Sequence, residues 1–202
     1  MLALFGFTLN ALSAETKTIV CMGDSLTAGY GLANPDAEAY PALLQQKIKA
    51  NSLPYRIVSA GISGDTTAGG LRRINWLLRQ RIDILVLALG GNDGLRGIAP
   101  EVTQANLIGI IERARQRYPN IRIIIAGMQM PTNLGEDYTT RYRRIFPAVA
   151  LEKKCVLIPF LLDGVGGDPT LNQADLIHPT ANGQRLIANT VWRTLAPLIS
   201  AP

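Results

Sequence analysis

Five short apolar segments, separated by longer amphipathic ones, run through this chain from residue 17 onward. The apolar segments are nearly continuous rather than alternating, which is typical of parallel strands covered on both faces. The predicted strands are 17–22, 55–60, 83–89, 121–127 and 155–158. Helical periodicity predicts helices over 37–51, 101–118, 138–153 and 180–197. This repeated alternation predicts an α/β fold, with a parallel sheet between helices and right-handed crossovers.

The segment 1–14 differs from the rest of the chain, because it carries no charge and is mostly apolar. It is too short to span a bilayer, and no stable membrane anchor is expected from it. It suits the apolar region of a secretory signal peptide or its remnant, although the positively charged start of such a signal is missing. We therefore expect a periplasmic or secreted protein, with a cytoplasmic protein that has an extra tail as the alternative. Residues 15–202 are expected to form a single domain.

The charge distribution argues against a nucleic-acid partner. The net charge of +5 is spread over several predicted helices, aromatic residues make up 6% of the chain, and no nucleic-acid-binding motif is present. The basic residues therefore indicate solvated helix faces, with attraction of anionic substrates or membrane surfaces as the alternative.

Polar clusters follow four of the predicted strands at the points where those strands end. They are Gly23-Asp24-Ser25, 61–65, Gly90-Gly91-Asn92-Asp93 and the segment from Asp175 to His178. In open parallel sheets the ligand site lies outside the carboxyl ends of the strands. We therefore expect the four clusters to meet at one edge of the sheet.

His178 is the single histidine of the chain, and it lies three residues after Asp175. A serine hydroxyl is a poor nucleophile unless a neighbouring base accepts its proton, and histidine suits that task near neutral pH. If Ser25 is the nucleophile of a triad, the base must be His178, and Asp175 can hold the imidazole in the correct tautomer. Acyl transfer also needs donors for an oxyanion, which the Ser25 and Gly64 N–H groups and the Asn92 amide can supply.

Two other classes of protein compete with this interpretation. One is a non-catalytic module that binds an anion with its glycine loops, but the chain lacks the phosphate-binding glycine motifs. The other is a metal-dependent hydrolase that uses Asp24, Asp93, Asp175 and His178. A single histidine and scattered aspartates make a poor ligand set for zinc.

The blocks "GDSLTAGYG", "YPALL", "SAGISGDTTAGGL", "LGGNDGLRG" and "DLIHPTANGQ" carry a resemblance to a known family. They resemble the blocks of the SGNH (GDSL-type) hydrolases, and within that family those of the bacterial multifunctional thioesterase I/lysophospholipase/arylesterase group. The likeness runs from about residue 17 to residue 198. The nucleophile is not in the G-x-S-x-G turn of the α/β-hydrolases, which disfavours that fold.

The resemblance implies a flavodoxin-like, three-layer α/β/α sandwich with a five-stranded parallel sheet. It implies hydrolysis of a small-molecule ester or thioester through an acyl-enzyme, without metal or cofactor. By position it makes Ser25 the nucleophile, Asp175 and His178 its partners, and Ser25, Gly64 and Asn92 the oxyanion donors. An acetylesterase of the same family that acts on carbohydrates is the alternative.

The loop 130–138 is the expected wall of the acyl pocket, because it follows the fourth strand and leaves the sheet at the catalytic edge. It combines apolar residues with a glycine that can adopt backbone angles closed to other residues. We expect the pocket to be lined by Asp24, Met130, Pro131, Leu134, Gly135 and Ile177. The alternative is that this loop is an ordinary surface loop that only connects the fourth strand to the next helix.

Overall fold

A computed structural model describes residues 15–200, so the predicted signal segment 1–14 lies outside the described residues. A five-stranded parallel sheet forms the centre of the domain. Its strands are β1 (Lys17–Gly23), β2 (Tyr55–Gly61), β3 (Ile84–Ala88), β4 (Arg122–Ala126) and β5 (Val156–Ile158). Their spatial order is β2-β1-β3-β4-β5, which is the flavodoxin-like order. The predicted α/β class and the five strands are confirmed.

Helices cover both faces of the sheet in the described part of the chain. They are α1 (Ser25–Ala28), α2 (Pro35–Glu38), α3 (Tyr40–Ala50), α4 (Thr67–Leu77), α5 (Gly91–Leu95), α6 (Pro100–Arg117), α7 (Glu136–Glu152) and α8 (Ala181–Ile199). α4, α6 and α7 pack side by side, and α3 packs against α8. Right-handed crossovers place these two groups on opposite faces, which gives the expected three layers. The helix predicted over 37–51 is two helices, because the chain is extended at Ala39.

Helix α4 was not predicted from the sequence, because it contains the pair Gly69-Gly70. Glycine is a poor helix former, so this segment has a weak helical signal. The structure explains both glycines by close packing. A Cβ atom at Gly70 would overlap the Leu89 side chain, and one at Gly69 would overlap the Asp65 carboxylate. The two glycines let α4 approach the sheet and the loop after β2.

The core lies on both faces of the central strands. All five residues of β3 are buried, and so are six of the seven residues of β1. These apolar runs are the segments that made the strands recognisable in the sequence. At the edge of the sheet, β2 is only partly covered. Among residues 15–200, no helix is both long and apolar enough to cross a membrane.

The chain leaves β1 and β3, which are neighbours in the sheet, in opposite lateral directions. α3 leads from β1 outward to β2, whereas α6 leads from β3 towards β4 and β5. Such a switch point opens a crevice at the carboxyl ends of the strands. Ser25 follows β1 and Asn92 follows β3, so both lie at the mouth of this crevice.

Candidate active site

Strand β1 delivers Ser25 to the catalytic edge through a tight turn. The strand ends at Gly23, where a Cβ atom would overlap the Thr27 side chain, so the turn requires glycine. Asp24 then caps α1, because its Oδ1 accepts a 3.0 Å hydrogen bond from the backbone N–H two residues further on. Ser25 is therefore the first residue of α1 and is 9% exposed. Its Oγ lies 3.0 Å from His178 Nε2.

Asp175 and His178 lie on the loop that joins β5 to α8. The Oδ2 atom of Asp175 lies 2.6 Å from His178 Nδ1, and its Oδ1 accepts hydrogen bonds of 2.9 Å from the backbone N–H groups of Ile177 and His178. When Nδ1 donates to this carboxylate, Nε2 carries the lone pair that faces Ser25. The structure thus brings the three predicted triad residues into one hydrogen-bonded chain.

The hydrogen bonds around Asp175 keep it ionised. The backbone N–H of His178, the His178 imidazole and the backbone N–H of Ile177 together lower the pKa of this carboxyl to about 2. Asp175 is therefore a carboxylate throughout the neutral range. It can hold the imidazole and stabilise the positive charge that forms when His178 accepts a proton.

The three predicted oxyanion donors also lie at this edge. Among the described residues, neither the Ser25 nor the Gly64 backbone N–H donates to a protein acceptor. Asn92 Nδ2 donates to the Asp65 carbonyl at 2.9 Å and makes a longer contact of 3.5 Å with Asp24 Oδ2. The Asp65 carbonyl thus holds the Asn92 amide firmly, whereas the contact with Asp24 is at the long limit of a hydrogen bond.

Gly64 lies in the turn after β2. A Cβ atom there would meet only Arg96 Nη2, at an ordinary distance of 3.7 Å, so protein packing does not require glycine at this position. The requirement is conformational, because Gly64 has a φ of +77°, which other residues adopt only with strain. This angle forms the turn that leaves its N–H without a protein acceptor.

Substitution Asn92→Ala is expected to reduce kcat by about 10²–10³-fold, because one preorganised oxyanion donor contributes that much to comparable reactions. Steady-state kinetics on a short aryl ester would measure the loss. Asn51→Ala is the matched control, since the Asn51 amide also donates to a backbone carbonyl but lies at the end of α3. If Asn92→Ala keeps kcat within a few-fold of the parent, Asn92 is not an oxyanion donor.

Thr67 and Arg73, two residues that the sequence did not single out, help to hold the catalytic loops in place. Thr67 donates from its backbone N–H and its hydroxyl to the Asp93 carboxylate, which is fully buried. Arg73 pairs with Asp65 at 2.7 Å and donates to the Gly23 carbonyl at 3.0 Å. These contacts tie α4 to the ends of β1 and β3. Only their distant partners reveal these residues, and the local sequence does not.

The metal-dependent alternative finds no support in this arrangement. Asp93 bonds with Thr67 and does not join Asp24, Asp175 and His178 around an empty site. Within residues 15–200, no three histidine, cysteine, aspartate or glutamate side chains form a group that could hold a metal ion.

Three of the six residues expected to line the acyl pocket lie close to the triad or to α5, and the other three lie on an exposed loop. Asp24 is buried, and burial raises the pKa of its carboxyl to about 6. Ile177 is 45% exposed next to His178. Met130 packs against Gly94 of α5, where a Cβ atom would overlap the methionine side chain.

The other three residues of the expected lining lie on an exposed stretch. Pro131 and Gly135 flank a short 3₁₀ helix, Thr132–Leu134, and Leu134 is its last residue. None of the three hydrogen-bonds to the triad. Gly135 has a φ of +89°, which confirms its expected backbone freedom. The loop therefore flanks the site beyond α5.

The chain is similar in sequence to known proteins over most of its length. The model of the GDSL-like lipase/acylhydrolase family matches residues 21–186. The chain is 41% identical to "Esterase TesA" of Pseudomonas aeruginosa, with 92% of this chain and 91% of that protein covered. It is 36% identical to "Thioesterase 1/protease 1/lysophospholipase L1" of Escherichia coli, covering 98% and 92%. An "Arylesterase" of Vibrio mimicus is 34% identical, covering 94% and 93%.

Solved structures show the same architecture. A crystal structure of TesA superposes with a TM-score of 0.85 at 42% identity, covering 90% of this chain and 99% of that one. The esterase EstA from Pseudoalteromonas sp., inhibited by monoethylphosphonate, superposes with a TM-score of 0.84 at 30% identity, covering 92% and 100%.

Proposed function

Because this chain belongs to the GDSL-like lipase/acylhydrolase family and is a carboxylic ester hydrolase, we propose that it cleaves esters and thioesters through an acyl-enzyme on Ser25. The observation that carries the proposal is the hydrogen-bonded chain from Asp175 through His178 to Ser25, with distances of 2.6 and 3.0 Å. A non-catalytic anion-binding module does not require such a chain.

The proposed reaction has two steps. Ser25 Oγ attacks the acyl carbonyl while His178 Nε2 accepts the hydroxyl proton, and the Ser25, Gly64 and Asn92 donors stabilise the oxyanion. The protonated imidazole then gives this proton to the departing alcohol or thiol. A water molecule attacks the acyl-enzyme with His178 again as base, which releases the carboxylic acid and restores Ser25.

A fluorophosphonate probe tests this proposal directly. The probe should add once to the native protein, and peptide mass spectrometry should place the adduct on Ser25, because only an activated serine attacks phosphorus rapidly. Ser63→Ala is the matched control, since Ser63 is an exposed serine on the loop after β2. Labelling should persist in Ser63→Ala and in excess EDTA. An adduct on Ser63, or loss of activity with EDTA, would contradict the mechanism.

The substrate class proposed here is a small-molecule acyl ester or thioester. The names of the relatives include an esterase, a thioesterase and lysophospholipase, and an arylesterase, which differ in the group that leaves. In the proposed reaction the triad acts on the acyl carbonyl and gives a proton to the departing atom, whether oxygen or sulfur, so these names support an enzyme that tolerates several leaving groups. An acetylesterase that acts on carbohydrates remains the alternative.

We propose that the acyl chain lies along the loop 130–138. Leu134 is 36% exposed, and the loop is tied to α5 by Tyr138, whose hydroxyl donates to the Gly94 and Ile98 carbonyls. An acyl chain that extends from Ser25 past Asn92 would meet this apolar side chain.

Substitution Leu134→Ala should lower the preference for long over short acyl chains by about 3–10-fold, because each buried methylene contributes roughly 0.8 kcal/mol. A series of aryl esters with increasing chain length would measure kcat/KM. Leu151→Ala is the matched control, since Leu151 is 84% exposed at the far end of α7. An unchanged chain-length profile in Leu134→Ala would place the acyl pocket elsewhere.

We further propose that the protein is exported, on the basis of the apolar segment 1–14. Amino-terminal sequencing of the protein recovered from a periplasmic fraction would test this. Recovery in the cytoplasm with residues 1–14 intact would contradict it.

A further inference from the structure

The loop that carries two of the three triad residues has little regular structure. Between β5 and α8 its only ladder contact is one isolated bridge, from Asn172 to Pro179. Asp175 and Ile177 are exposed, and Leu176 has a φ of +59°, which is uncommon for a residue with a side chain. The position of His178 must therefore be fixed by specific contacts.

Gln173 makes the contacts that close this loop. Its backbone N–H donates to the His178 carbonyl at 2.7 Å, so residues 173–178 form a closed ring. Its side-chain Nε2 donates to the Pro179 carbonyl at 3.2 Å. The same Nε2 donates to the Tyr30 carbonyl at 2.7 Å, across a separation of 143 residues. Gln173 thus joins the histidine loop to the turn that follows the nucleophile helix α1.

The turn after α1 is shaped to receive this side chain. Gly29 and Gly31 both have positive φ values, +74° and +75°, and they flank Tyr30. A Cβ atom at Gly31 would overlap the amide of Gln173, so this glycine is required for space as well as for conformation. The Tyr30 ring then lies with its centroid 4.6 Å from that of the His178 imidazole.

We infer that Gln173 is a positioning residue, which sets the distance between His178 Nε2 and Ser25 Oγ. Among the described residues, two side-chain hydrogen bonds join the loop 173–179 to the nucleophile turn 25–31, and they are the catalytic contact and the bond from Gln173 Nε2 to the Tyr30 carbonyl. Displacement of a catalytic group by about 1 Å can cost on the order of 10² in rate. The inference rests on the proposed role of His178 as base.

The expected result for Gln173→Ala is a loss of about 10–100-fold in kcat with KM within two-fold of the parent, because the acyl site is untouched. Gln173→Glu should behave in the same way, since a carboxylate has the size of the amide but cannot donate to the Tyr30 carbonyl. Gln46→Ala is the matched control, since Gln46 is exposed and its amide also donates to a backbone carbonyl, that of Ala37. It should keep full activity.

A double-mutant cycle with His178→Ala separates positioning from general support of the fold. If Gln173 acts through His178, Gln173→Glu should cause no further loss in the residual activity of His178→Ala. Equal losses in both backgrounds, or full activity of Gln173→Glu in the native background, would overturn the inference. If His178→Ala itself kept near-native activity, the proposed mechanism would fail instead, so the two failures are distinguishable.

Discussion

Substitution Ser25→Ala is expected to reduce kcat by roughly 10⁴-fold or more, because it removes the hydroxyl that lies 3.0 Å from His178 Nε2. The fold should be preserved. The cap of α1 is the side chain of Asp24 rather than that of Ser25, and the main described partner of the Ser25 hydroxyl is His178 Nε2. We therefore expect a melting temperature within a few degrees of the parent.

Pre-steady-state kinetics with an aryl ester would show this effect most clearly. The parent should release a burst of one equivalent of the phenol if deacylation is slow, and Ser25→Ala should show no burst. Ser63→Ala serves again as the control for the loss of an unrelated hydroxyl on the catalytic edge. Near-native turnover by Ser25→Ala would remove it from the mechanism.

The second large effect is expected from Asp175→Asn, which should reduce kcat by about 10³–10⁴-fold. The asparagine oxygen can still accept from the backbone N–H groups of Ile177 and His178, so the loop should keep its shape. Its amide nitrogen would face Nδ1 and donate to it. The proton would then reside on Nε2, and His178 could no longer accept the proton of Ser25.

A pH profile provides an independent check on Asp175. Its pKa is lowered to about 2, so this carboxyl is already ionised above about pH 4 and should not limit activity there. A loss of kcat/KM on acidification that sets in well above pH 4 should therefore come from another group, and the buried Asp24 carboxyl, whose pKa is raised to about 6, is one such group. A parent profile whose acid limb has the apparent pKa of an ordinary carboxyl, about 4, would argue against the ionised state assigned to Asp175.

Asp168→Asn is the matched control for Asp175→Asn. Asp168 lies on the same segment, and the hydroxyl and N–H of Thr170 lower the pKa of its carboxyl as well, but it contacts no imidazole. Its substitution should leave kcat unchanged. Equal losses in Asp168→Asn and Asp175→Asn would indicate that the whole loop is sensitive, rather than the tautomer of His178.

The sequence predicts those features that are encoded locally. The strands are recognisable because both of their faces are buried, and the placement of Ser25 and His178 follows because the carboxyl ends of parallel strands share an edge. The base of a triad can also be assigned from the sequence, because the chain contains a single histidine.

The features that the sequence does not predict depend on distant partners. α4 has a weak helical signal because Gly69 and Gly70 serve close packing rather than helix formation. An aspartate such as Asp93 can bind a metal or accept hydrogen bonds, and its residue type does not distinguish the two roles. The hydrogen bonds from Thr67 do, because they occupy the Asp93 carboxylate. Gln173 is one of several polar residues on a loop, and its contact with the Tyr30 carbonyl spans 143 residues.

The triad joins the two ends of the domain, since Ser25 and His178 are 153 residues apart. During synthesis the nucleophile turn therefore emerges long before its base. The last helix, α8, follows His178 and contributes buried residues, among them Ile187, Val191 and Leu195, to the layer it forms with α3. A nascent or truncated chain that ends before Asp175 lacks both the proposed base and this helix. The proposed mechanism therefore requires synthesis to continue through His178, 153 residues after the nucleophile has been made.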